Sequence, residues 1–214
     1  MRVDLAGPAG RLEGLLEEAP GAVFAAVVCH PHPSFGGTMH THAAHRLAKA
    51  VVARRGVSLR FNFRGVGLSA GVYAGGDGEA DDARAALDWL ASERPGLPLL
   101  ACGFSFGAWM AVLAGGEDVR VRGLLLAGLA LTALDLSRFR DAGLVREVEK
   151  PLAVVQAEAD QFGAPAEVRA ALEGSRGPRR LATVAGATHL FTEDLAALQR
   201  EAEAALDWLL GGGP

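Results

Sequence analysis

The sequence LPLLACGFSFGAWMAVLAG, residues Leu97–Gly115, joins two apolar segments through a serine that stands between glycines. Its first part, LPLLACG, is an apolar run typical of a strand covered on both faces. Its last part, FGAWMAVLAG, has the composition of a buried helix. Where the two parts meet, GFSFG at 103–107 matches G-x-S-x-G. In this context the match predicts a tight strand–turn–helix junction, a nucleophile elbow, that lifts the oxygen of Ser105 above the edge of a sheet.

Apolar, β-branched runs alternate with segments of helical periodicity on both sides of this junction. The predicted strands are Ala22–Cys29, Val57–Phe63, Leu97–Gly103, Val121–Ala130, Leu152–Gln156 and Arg180–Ala185. The predicted helices are Met39–Arg55, Glu79–Glu93, Phe106–Gly115, Pro165–Leu172 and Thr192–Leu210. This alternation predicts an α/β fold with a mostly parallel central sheet and helices on both faces. Two short runs, Val3–Leu5 and Leu12–Glu17, predict an antiparallel hairpin at the sheet edge.

The length and composition fit a single domain, residues 1–214, built around one large core. The chain has 214 residues, of which 50% are hydrophobic, and its net charge is −4. A nucleic-acid-binding surface needs a clustered basic face, which this sequence does not offer. We therefore expect no nucleic-acid partner, and the sequence does not indicate an oligomeric state.

The sequence also indicates the cellular compartment in which we expect the protein. The first residues lack the apolar region of a signal peptide, and no segment reaches the roughly 20 apolar residues that span a bilayer. Cys29 and Cys102 lie at the ends of apolar runs, which predicts buried thiols, whereas a disulfide would be expected of an exported protein. We therefore expect a cytoplasmic protein with no membrane partner.

Three residues have the order and spacing of a catalytic triad. A serine needs a base to become a nucleophile, and the base needs an acid that orients it. The chain order expected for an elbow of this kind is serine, acid, histidine. His189, after the last predicted strand, is the only histidine that follows Ser105. Asp160 follows the preceding strand, with Glu158 and Asp135 as rival acids. The loop positions favour Ser105 as nucleophile, His189 as base and Asp160 as acid.

An oxyanion hole needs two backbone N–H groups. The residue after the nucleophile, Phe106, should supply one of them. The other should come from the loop HPHPSFGG at 30–37, which follows the first predicted parallel strand. Its two prolines lack an N–H, so the candidates are His32, Ser34 and Phe35. By analogy with H-G-x-P loops we favour His32.

At this point the sequence resembles a known group. The motifs that carry the resemblance are HPHP at 30–33 with GGTM at 36–39, RFNFRGVG at 60–67 and GFSFG at 103–107. In this order they resemble the small, lidless bacterial α/β-hydrolases described as esterases or dienelactone-hydrolase-like proteins, and the loops of Asp160 and His189 resemble the acid and base loops of that family. The resemblance implies the α/β-hydrolase fold and serine-hydrolase chemistry. Dienelactone hydrolases use a cysteine nucleophile where this chain has Ser105.

The remaining histidines have simpler interpretations. His40, His42 and His45 could suggest a metal, but only His42 and His45 share a helix face, and no nearby carboxylate or cysteine has ligand spacing. We expect no metal and no cofactor, and interpret these residues as the polar start of a helix. His30 is interpreted as a core histidine that fixes the oxyanion loop by hydrogen bonding.

Other side chains near the motifs leave alternatives open. Arg64 either shapes its loop, which is the favoured interpretation, or binds a carboxylate near the site. Several large side chains either line an acyl pocket or belong to the core: Phe35, Tyr73, Phe104, Phe106, Trp109 and Met110.

The sequence thus predicts a serine hydrolase that cleaves small to medium carboxylic esters through an acyl-enzyme. The gap between Ala130 and Leu152 is about 20 residues, too short for a separate lid domain, so the site should be open and short acyl groups preferred. The alternatives are a thioesterase or peptidase with the same triad, and a catalytically silent binding module with the same fold.

Overall fold

A computed structural model describes residues 1–132 and 143–211 of the chain. The strands are β1 Arg2–Gly7, β2 Gly10–Glu18, β3 Phe24–Cys29, β4 Gly56–Phe61, β5 Leu99–Phe104, β6 Val121–Ala127, β7 Leu152–Ala157 and β8 Arg179–Val184. The helices are α1 His42–Ala53, α2 Asp77–Glu93, α3 Phe106–Gly115, α4 Gly143–Arg146, α5 Pro165–Leu172 and α6 Leu195–Leu210, and a short 3-10 turn covers Pro33–Phe35.

The strands form one sheet in the order β1-β2-β4-β3-β5-β6-β7-β8. Neighbours from β4 to β8 pair in parallel, as expected for strands joined by helical crossovers. β1 and β2 pair antiparallel, and β2 pairs antiparallel with β4. The mostly parallel sheet and the edge hairpin predicted from the sequence are therefore confirmed.

Helices cover both faces of the sheet and divide the interior into two cores. On one face α2 and α3 pack over the sheet around Trp109, and on the other α1 and α6 pack over it around Phe104. The central strands are buried on both sides, which explains why they are continuous apolar runs rather than alternating ones. Cys29 lies in the first core and Cys102 in the second, both as buried free thiols, as predicted.

Several element boundaries differ from the sequence-based prediction, and two of the differences can be traced to particular residues. The helix predicted from Met39 begins at His42, since the side chains of Arg60 in β4 and of Asn62 just after β4 hydrogen-bond the backbone of Met39. β6 ends at Ala127, because Gly128 turns the chain with a φ of 54°. The short helix α4 was not predicted at all.

No helix within the described ranges combines the length and the apolar character that crossing a bilayer requires.

Candidate active site

Ser105 lies at a sharp turn between β5 and α3. Its φ of 56° and ψ of −119° are unusual for a residue with a side chain, and such strain persists only where the surroundings enforce it. The turn holds Ser105 at the carboxyl end of the parallel strands, directly before the first turn of α3. Phe106 is the first residue of that helix, where backbone N–H groups have no intrahelical acceptor and the helix dipole favours negative charge.

The two glycines around Ser105 are required by close backbone contact. A Cβ on Gly103 would lie 2.0 Å from the carbonyl oxygen of Gly107. A Cβ on Gly107 would lie 2.3 Å from the carbonyl oxygen of Cys29 and 2.5 Å from that of His30. Helix α3 therefore starts in direct contact with the end of β3, which brings the loop after β3 next to Ser105.

His189 and Asp160 complete a continuous hydrogen-bonded chain with Ser105. His189 Nε2 lies 2.9 Å from the hydroxyl oxygen of Ser105. His189 Nδ1 lies 2.8 and 2.9 Å from the two carboxylate oxygens of Asp160. The carboxylate holds the ring proton on Nδ1, so that Nε2 of the neutral ring can accept the proton of the serine hydroxyl. His189 and Asp160 are both buried, whereas Ser105 is partly exposed.

The rival acid Glu158 points elsewhere. Its side chain is exposed and accepts a hydrogen bond of 2.8 Å from the N–H of Gly186. The other rival, Asp135, lies outside the described residues. Of the two acids that follow β7, the structure brings Asp160 to His189.

The loop after β3 is fixed by hydrogen bonds of its own. The N–H of Ser34 donates to His32 Nδ1 (3.1 Å), and the N–H of Phe35 donates to the carbonyl oxygen of His32 (3.1 Å). Two of the three candidate oxyanion donors, Ser34 and Phe35, therefore make hydrogen bonds inside the loop. Both His32 and Phe106 line the cleft above Ser105.

His30 anchors this loop to the neighbouring strand. Its Nδ1–H donates to the carbonyl oxygen of Pro31 (2.6 Å), and its Nε2 accepts the N–H of Phe63 (3.1 Å). Burial lowers the pKa of His30 to about 4, so the ring is neutral and its two nitrogens keep these opposite roles. The predicted structural role of His30 is confirmed.

Side chains of the motif RFNFRGVG at 60–67 make hydrogen bonds to the segment before α1 and to α2. Met39 is held by Asn62, whose side-chain oxygen accepts its N–H (2.9 Å), and by Arg60, which donates to its carbonyl oxygen (2.8 Å). Arg64 makes a two-pronged ion pair with the fully buried carboxylate of Asp82, at 2.7 and 3.0 Å, which raises its pKa. The guanidinium is committed to a partner on α2, so the interpretation of Arg64 as a loop-shaping residue is confirmed.

A cleft of about 450 Å³ opens above Ser105 and His189. Its walls are mainly apolar: Pro31, Phe35, Phe104, Phe106, Phe162 and Leu190. Phe35 and Leu190 are 70% and 56% exposed, so they form part of the rim. Of the six side chains that the sequence left open between pocket and core, Phe35, Phe104 and Phe106 therefore line the cleft.

The other three of these six side chains are not among the residues that line the cleft. Trp109 is buried and donates to the carbonyl oxygen of Ala130, Met110 is core, and the hydroxyl of Tyr73 lies 3.0 Å from His32 Nε2. Phe162 and Leu190 were missed. Each stands within two positions of a predicted triad member, and that proximity was the available signal.

The histidines at the start of α1 form a polar helix start, with His40 just before the helix and His42 as its first residue, both exposed. In the described part of the chain, no group of three or more His, Cys, Asp or Glu side chains could hold a metal ion.

Proteins similar to this chain are known both by sequence and by solved structure. No family model matches the sequence. An uncharacterized protein of Rickettsia prowazekii is 46% identical over 109 residues, which are 50% of this chain and 45% of that protein, so the chain spans less than half of that relative.

Solved structures match over the full length. An α/β serine hydrolase homologue from Coxiella burnetii is 28% identical, with a TM-score of 0.86 over 96% of this chain and 97% of that one. An α/β serine hydrolase without a lid from Xanthomonas campestris is 30% identical, with a TM-score of 0.85 over 100% of this chain and 96% of that one. The fold class and the family resemblance predicted from the sequence are confirmed, and this chain belongs to the lidless α/β serine hydrolases.

Proposed function

We propose that this protein hydrolyses small to medium, uncharged carboxylic esters through an acyl-enzyme, with Ser105 as nucleophile, His189 as base and Asp160 as acid. The observation that carries the proposal is the hydrogen-bonded chain from the Ser105 hydroxyl through His189 to Asp160, with contacts of 2.9 and 2.8 Å, at the floor of an open cleft. This arrangement has the order and the roles of a serine-hydrolase triad.

In the first half of the reaction, Ser105 Oγ attacks the ester carbonyl carbon and His189 Nε2 takes the hydroxyl proton. The negative oxygen of the tetrahedral intermediate accepts hydrogen bonds from the backbone N–H groups of Phe106 and His32. When the carbon–oxygen bond to the alcohol breaks, His189 returns the proton to the leaving oxygen. The acyl group stays on Ser105, and Asp160 stabilises the transient imidazolium.

In the second half, water repeats the sequence. His189 removes a proton from the water as it attacks the acyl carbon, and the proton then returns to Ser105 Oγ as the ester bond to the enzyme breaks. The products are a carboxylic acid and an alcohol, and the residues return to their starting states.

The cleft supports an uncharged acyl group of limited size. Among the described residues that line it there is no lysine, arginine, aspartate or glutamate. A charged acyl group would lose water there without gaining an ionic partner, which is costly. The apolar walls and the volume of about 450 Å³ suit short to medium hydrocarbon chains.

The test is covalent labelling with a fluorophosphonate, followed by turnover of p-nitrophenyl esters, acyl-CoA thioesters and aminoacyl anilides. We expect one label, on Ser105, and the highest kcat/KM on short esters. Ser105→Ala should lose labelling and about 10⁶-fold in kcat, since deletions of a triad serine have this effect. Absence of labelling in folded wild-type protein would instead favour a binding module, and preference for thioesters or anilides would redirect the substrate class.

A further inference from the structure

Gln156 is a polar side chain in a strand that is otherwise apolar. Strand β7 is buried along its whole length, and Gln156 has no exposed surface. A buried amide costs free energy unless its N–H and C=O groups find hydrogen-bond partners. Its position as the second-to-last residue of a core strand therefore requires a specific set of contacts.

Those contacts join two loops at the carboxyl end of the sheet. The side-chain nitrogen donates to Asp160 Oδ2 (2.9 Å) and to the carbonyl oxygen of Gly163 (2.7 Å). The side-chain oxygen accepts the N–H of Leu129, in the loop after β6 (2.9 Å). One rigid side chain thus ties the loop after β6 to the loop that carries Asp160.

The carboxylate of Asp160 is held from two sides. Oδ2 accepts from Gln156, and Oδ1 accepts the N–H of Phe162 (2.9 Å). Both oxygens also face His189 Nδ1. The Phe162 contact comes from the backbone of the same loop, whereas the Gln156 contact comes from the core strand and ties the carboxylate to the sheet.

We propose that Gln156 is a positioning residue for the triad, whose buried amide sets the direction in which Asp160 presents its carboxylate to His189. The proposal rests on the proposed function, in which Asp160 orients the catalytic histidine. It makes Gln156 act only through Asp160, with no contact to substrate.

The test is a double-mutant cycle with Gln156→Met and Asp160→Ala, measured with p-nitrophenyl butyrate. Methionine keeps the length and volume of the side chain but cannot donate a hydrogen bond. In the wild-type background we expect kcat to fall about 10- to 100-fold, the range that follows from a displacement of about 1 Å in a catalytic group, with KM nearly unchanged. In the Asp160→Ala background the same change should alter kcat by less than about twofold, because Gln156 acts only through the carboxylate that this background lacks.

Equal losses in both backgrounds would overturn the proposal, since they would mean a general contribution to the fold. An unchanged kcat of Gln156→Met in the wild-type background would overturn it as well. Failure of the proposed function is distinguishable, because Asp160→Ala alone would then leave kcat intact.

Gln161→Met is the matched control. Gln161 is an exposed glutamine in the same loop, and we expect its kcat to equal that of the wild type. If Gln156→Met gives no folded protein by circular dichroism, Gln156→Asn replaces it in the same cycle with the same expectation. Asparagine keeps the amide but withdraws it by one methylene from Asp160.

Discussion

Lowering the pH from 7 to 5 should destabilise this protein through His30. In the folded protein burial lowers the pKa of this histidine to about 4, against an ordinary value of 6.5. As the pH falls below 6.5, the unfolded chain binds a proton there and the folded protein does not. The stabilisation is therefore complete above pH 6.5 and is lost as the pH falls towards 4. With these two values, the linkage relation gives a loss of about 2 kcal/mol between pH 7 and pH 5.

The physical reason is that a second ring proton has no acceptor. Nε2 of His30 already accepts the N–H of Phe63, so a proton on Nε2 would break that bond inside the core. The assay is urea unfolding at pH 7 and at pH 5, which gives the change in unfolding free energy for each variant. His30→Gln should show a change smaller than that of the wild type by about 2 kcal/mol. The control His40→Gln, at an exposed histidine, should match the wild type.

The reasoning is refuted if His30→Gln loses as much stability between the two pH values as the wild type does. Its stability at pH 7 does not enter the test, because only the difference between the two pH values isolates the titration. Carboxylates also titrate in this range, and comparison with the wild type cancels their contribution.

Three further results are expected. Asp160→Asn should lower kcat by about 10⁴-fold while Glu158→Gln costs little, because only the first touches His189; the reverse ranking in steady-state assays would reassign the acid. Gly107→Ala should lower the free energy of unfolding by about 3 kcal/mol, because the new Cβ would lie 2.3 Å from the carbonyl oxygen of Cys29, and a near-wild-type urea midpoint would contradict this contact. The kcat/KM for p-nitrophenyl pentanoate should exceed that for the mono-p-nitrophenyl ester of glutaric acid, and that for the palmitate ester, by at least about tenfold. Equal values would contradict the proposal that the cleft takes uncharged acyl groups of limited length.

The sequence was sufficient to predict the sheet because its core strands are buried on both faces. Phe24–Cys29 carries an apolar residue at every position, and Leu152–Ala157 does so at every position except Gln156. The junction at Ser105 was predictable for a related reason. Only glycine fits the backbone contacts on either side of it, so the two glycines in the sequence indicate the tight turn.

The choice between the two acids and the contacts of Gln156 could not be predicted, because they depend on the three-dimensional path of the chain. Glu158 and Asp160 are two residues apart, and residue type does not say which of them meets His189. The turn after β7 decides it by sending the first to Gly186 and the second inwards. Gln156 was predicted only as the end of a strand, because its partners lie in two loops that the sequence does not place next to each other.

The interior is divided into two cores with one thiol in each, so the reactivity of each thiol reports the local opening of its own core. Burial raises the pKa of Cys102 to about 12 and that of Cys29 as well, so neither thiol reacts until its surroundings open. Pulsed alkylation followed by peptide mass spectrometry would give a separate opening rate for each face of the sheet. Equal rates would describe a molecule that unfolds as one cooperative unit, and unequal rates would identify the face that loosens first.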